Sequence, residues 1–146
     1  MSPVTLRLVR VLAGVAVLIG GYGHYHLWDV AYRHTPVKEL FVIEAIASLV
    51  IGIGLVIGPR RLVALGGLGV SVLTLVAFGL SRIKSVGVPT FHGKFTETGL
   101  QPSNVHVLGV GVALMTLIVE GIALLLSLVI LTRTPSRARR APPARV

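Results

Sequence analysis

Apolar residues along this chain do not alternate or recur singly; they run in four long blocks separated by short clusters of Gly, Pro, Arg and Lys. The blocks cover about 9–28, 40–58, 62–80 and 105–131. Each reaches the ~20 helical residues needed to cross about 30 Å of hydrocarbon. A backbone in lipid must satisfy its polar groups within its own segment, so these blocks predict helices. The fold expected is all-α: a polytopic membrane protein built as an antiparallel four-helix transmembrane bundle over residues 1–132. Gly58-Pro59-Arg60-Arg61 stops one helix and starts the next, which predicts a tight hairpin between the second and third spans. An outer loop is expected over 83–104, and a disordered basic tail over 133–146.

Charge orders the spans. Arg7, Arg10, Arg60, Arg61, Arg133, Arg137, Arg139, Arg140 and Arg145 fall on one side, and Arg33, Lys38, Arg82, Lys84 and Lys94 on the other. This asymmetry predicts both termini in the cytoplasm of a membrane protein with several passes. Aromatic residues from Tyr22 to Phe41, with Phe78, Phe91 and Phe95, gather at the opposite ends, where rings anchor at headgroups. Arg7 and Arg10 ahead of an apolar run resemble a leader, but bulky Tyr and His follow in place of a small-x-small site, so a retained first span is expected.

Composition narrows the chemistry. The 146 residues are 53% hydrophobic, with a mean hydropathy of +0.87, so the net charge of +9 points to anionic lipid at the basic tail rather than nucleic acid. Cysteine is absent, which excludes disulfides, thiolate metal sites and a cysteine nucleophile. No Ser-His-Asp order, HExxH or usable phosphate loop occurs, so an enzyme is not the leading expectation.

Ionisable residues within spans are costly and mark candidate sites. Counting inward from the outer ends puts His24 and Glu44 level, with His106 opening the fourth span on the same side. In an up-and-down bundle these three can converge. Two imidazoles and a carboxylate suit a transition metal bound by His24, Glu44 and His106, and the two imidazoles suit a haem held by His24 and His106. A plain hydrogen-bonded pair of His24 and Glu44 is the structural alternative. His92 and Glu97 in the outer loop are candidate contributors. His106, Ala113, Glu120 and Ser127 recur at intervals of seven and share one helix face. Glu120 lies about 21 Å along the helix from His106, too far for one ligand shell. It is read as a neutral carboxylic acid bonded to another helix or as a proton-relay group.

At His26-Leu27-Trp28, Tyr32-Arg33, Pro36, Gly58-Pro59-Arg60 and Leu80-Ser81-Arg82, with a Glu in the last span, the chain resembles small four-span membrane proteins of actinobacteria without assigned function. The resemblance runs over about 20–126 and implies fold and membrane location. Similarity to DoxX-like proteins is architectural only, and no site residue is carried over from either. The leading expectation is an accessory or binding component of the membrane, alone, as a homo-oligomer or in a larger complex, with an outer-leaflet metal or haem site. A small transporter or proton relay using Glu120 is the second reading, and a membrane oxidoreductase the third.

Overall fold

The computed structural model describes residues 1–34, 38–82, 106–107 and 110–134. Helix α1 spans Pro3–Leu27, α2 Lys38–Ile57, α3 Arg60–Arg82 and α4 Val112–Arg133. All four are long and apolar enough to cross a membrane. Large aliphatic side chains such as Ile43, Val50, Leu73 and Leu125 stand exposed around the outside. A soluble fold would hide such a surface, whereas a bilayer solvates it. The chain is a multi-pass membrane protein.

Helix α1 begins six residues before the expected 9. The Ser2 hydroxyl accepts from the Thr5 backbone N–H at 3.1 Å, and Pro3 takes the first turn, where its missing N–H costs nothing. Arg7 and Arg10 therefore ride on the helix instead of preceding it; charge can end a membrane span without ending a helix. At its other end α1 runs into a π-helical turn, Trp28–Tyr32. The wider i→i+5 repeat brings Tyr32 back over the buried face that Leu27 occupies. Tyr32 and Phe41 were expected at the headgroups, yet both are buried and stack with centroids 4.4 Å apart.

The α2–α3 hairpin forms at the predicted Gly58-Pro59 turn. Gly54 and Gly58 both face Val63, where a Cβ would come within 2.9 and 3.0 Å of its Cγ1. The fourth helix differs from expectation. His106–Val107 and Val110–Gly111 pair as a two-residue antiparallel ladder, and α4 starts only at Val112. Glycine and β-branched valine are poor helix formers, so His106–Val107 and Val110–Gly111 keep the apolar character of a span while pairing as strands. His106 consequently lies off the helix, and its position cannot be projected along the heptad spacing from Glu120.

Contacts between neighbours place the helices in the cyclic order α1, α2, α3, α4, each antiparallel to the next. Gly14 of α1 meets Gly52 and Val56 of α2, Gly66 of α3 meets Ile51 of α2, and Gly67 of α3 meets Ser127 of α4. One end of the bundle holds Arg7, Arg10, Arg60, Arg61 and Arg133, with no carboxylate among the described residues there; it is termed the arginine end. The other is the aromatic end. At the arginine end Arg10 reaches across to α2, donating from Nε to the Leu55 carbonyl and from a terminal nitrogen to that of Gly58, both at 2.7 Å. A helix end leaves carbonyls without intrahelical partners, and a cation there also opposes the helix dipole. Arg10 is thus a cap for α2 supplied by another helix.

Two apolar clusters fill the interior. Toward the aromatic end lie Leu27, Tyr32, Phe41 and Met115. Toward the arginine end lie Ala13, Leu55, Ala64 and Ile130, one from each helix and each fully buried. Between them the core turns polar.

Candidate functional site

Thr116, Glu120, Ala123, Ser127 and Ile130 form the buried stripe of α4, spaced by three and four residues as one helix face requires. Opposite stand Ser71 and Thr74 of α3 and Ser48 of α2, all buried. Glycines on the neighbouring helices make room for these side chains. The Glu120 carboxylate rests against Gly20, where any Cβ would collide with Oε1. A Cβ on Gly21 would fall 2.6 Å from Ser48 Cβ, and one on Gly67 2.7 Å from Ser127 Oγ. Small residues that let helices approach closely are the usual membrane packing device, and here they admit polar groups to the bundle axis.

The hydrogen bonds differ from those the sequence led us to expect. His24 Nδ1 lies 2.9 Å from the carbonyl of Gly20, one turn back on its own helix, and its ring tilts against Phe41 with centroids 5.9 Å apart. Glu44 instead accepts a 2.7 Å hydrogen bond from the Thr74 hydroxyl of α3. His24 and Glu44 thus take separate partners, so the expected pair does not describe them. His26 stacks on Tyr22 with centroids 6.3 Å apart.

Among the described residues no group of three or more His, Asp or Glu side chains is arranged to hold a metal ion. The side chain of His106, and the whole of His92 and Glu97, lie outside the described residues, as does the tail from 135 to 146.

Glu120 is the most buried carboxylate among the described residues, 1% exposed, and its Oε2 has no hydrogen-bond partner. Ser71 stands beside the carboxylate, although its Oγ makes no hydrogen bond of good geometry; Ser48 Oγ and Ser127 Oγ are likewise buried and unpartnered. Four such atoms in one short layer are many, since buried polar groups are nearly always paired. A lone unpaired group costs ~1–3 kcal/mol, so the layer is a region of retained polarity rather than optimal packing. Ser48, Ser71 and Thr74 were not among the candidate residues, although serines and threonines at helical spacing within apolar spans were the available signal.

On the outside, an apolar groove of about 330 Å³ runs between α1 and α2, floored by Gly21 and Ala45 and flanked by Tyr22 and Tyr25. Its lining contains none of the buried carboxylates or hydroxyls. At the aromatic end Arg33 bonds Asp29 at 2.6 Å and lies 4.7 Å over the Trp28 ring. Both partners of this ion pair are about half exposed, so it adds little to stability. Compared with protein-family models, curated proteins and solved structures, the chain matches none.

Proposed function

We propose that this protein is a proton-binding and relay component of a bacterial plasma membrane, with Glu120 as the group that takes up and releases the proton. The observation that carries this reading is the unpartnered Oε2 of a fully buried carboxylate among unpartnered hydroxyls at the centre of four apolar helices. A charge held there is costly, whereas a neutral carboxylic acid both donates and accepts and needs no counter-ion. A metal or haem at His24, Glu44 and His106 draws less support, because His24 and Glu44 already engage Gly20 and Thr74. The arginine end is read as cytoplasmic, where Arg7, Arg60, Arg61, Arg133 and the basic tail meet anionic lipid. The actinobacterial resemblance agrees with this location.

The test is labelling with dicyclohexylcarbodiimide, a lipophilic reagent that attacks protonated carboxyls inside membranes. In folded protein reconstituted in lipid, peptide mass analysis is expected to find the adduct at Glu120. It should be absent in Glu120→Gln, and its yield should fall as pH rises. A folded parent that stays unlabelled at Glu120 at every pH overturns the proposal.

A further inference from the structure

Resting on that reading, we propose that Glu120 exchanges its proton with the aromatic end of the bundle only, through Glu44, and is insulated from the arginine end. The polar layer has two different neighbours along the bundle axis, and they decide the direction.

Toward the aromatic end the hydroxyls continue. Ser71, beside Glu120, is three residues before Thr74 and so shares its helix face. Thr74 is bonded to Glu44, and Glu44 is only half-buried. Each hydroxyl is at once a donor and an acceptor, and the Ser71 Oγ, which makes no hydrogen bond of good geometry, can rotate toward the carboxylate or toward Thr74. The order Glu120, Ser71, Thr74, Glu44 is therefore a chain of groups able to hand on a proton, leading from the most buried carboxylate to a partly exposed one.

Toward the arginine end the series stops. Ser127 lies two turns from Glu120 along α4, and beyond it Ala13, Leu55, Ala64 and Ile130 close the axis with one apolar side chain from each helix, every one 0% exposed. Ser127 and the Leu55 methyl together occupy the space in front of Gly67. The side chains of Ala13, Leu55, Ala64 and Ile130 offer no group that can carry a proton onward from Ser127. Past it stands the Arg10 guanidinium, bound to the α2 terminus, whose positive charge opposes entry of another.

Among the described residues, the titratable groups nearest Glu120 on the packed helices are His24 on α1 and Glu44 on α2; α3 presents only the hydroxyls of Ser71 and Thr74. The route therefore has one titratable entry bonded into it, Glu44, while the His24 ring is bonded to Gly20 of its own helix and tilts against Phe41.

Sided labelling tests this. Protein carrying a tag after Val146 is captured so that all copies face one way in vesicles, and the pH is changed on one side at a time during brief carbodiimide exposure. Labelling of Glu120 is expected to follow the pH at the aromatic end and to ignore the pH at the arginine end. Glu44→Gln and Thr74→Val should each slow that response by tenfold or more, and Leu55→Ser should create a response to the arginine side. A parent that responds to the arginine side, to both sides alike, or to neither overturns the inference. Failure to label Glu120 at all instead defeats the functional reading beneath it.

Discussion

The Glu120 carboxylate on α4 occupies the space that a side chain at Gly20 on α1 would fill. Two helices thus share one site: α4 supplies the acid, and α1 supplies the absence that admits it. Glutamate in an apolar helix would otherwise hold its neighbour away or turn outward into lipid.

Gly20→Ala is expected to destabilise the bundle by about 1–3 kcal/mol, the usual cost of overpacking a close contact. Gly69 faces open space, so Gly69→Ala should be neutral or add up to ~1 kcal/mol through helix propensity. Unfolding of both variants in mild detergent against added denaturing detergent checks the contrast; equal effects would mean that Gly20 matters only as a backbone residue.

Removing the cap tests the arginine end. Arg10→Ala deletes two hydrogen bonds from a cation to the α2 carbonyls and should cost about 2–3 kcal/mol. Arg10→Lys keeps the charge but not the fork and should recover only part of it. Exposed Arg7, one turn away, should tolerate Ala within about 0.5 kcal/mol. The same unfolding assay reports all three.

The bond from Thr74 to Glu44 joins α3 to α2 within the membrane. A double-mutant cycle of Thr74→Val and Glu44→Leu is expected to give a coupling near 0.6 kcal/mol and not above ~1.7, the range of interhelical hydrogen bonds in lipid. Absence of coupling would remove this link from the polar chain.

At the aromatic end Tyr32 and Phe41 stack almost parallel. A cycle of Tyr32→Leu and Phe41→Leu should yield about 0.5–1.5 kcal/mol beyond the loss of area. Tyrosine fluorescence of the Phe41→Leu variant should also shift, since Tyr32 loses its ring neighbour.

The sequence carried the spans because length and hydrophobicity alone determine what crosses a bilayer, and the Gly58-Pro59 turn because few residues stop a helix so sharply. It misplaced the start of α4, since lipid-compatible valines and glycines over 105–111 satisfy a hydropathy reading without favouring a helix. Ser2-Pro3 is a legible helix start that lies outside the apolar blocks. Azimuth was not recoverable at the site: which helix Glu44 faces depends on rotations set by glycine contacts and by the π turn, neither of which a linear spacing encodes. Glu120 stood out in both readings, because a carboxylate in the middle of a span has few places to go.

The clasp between Arg10 and α2 also has a direction in time. Its two acceptors lie 45 and 48 residues further along the chain, so the ligand is made long before the helix end it closes. By the time Gly58 is made all of α1 has been made, and Gly14, Gly21 and Gly52 let α1 and α2 approach closely. The first two helices can close as a finished half before Pro59 turns the chain back, leaving α3 and α4 to assemble against a template rather than to search for one.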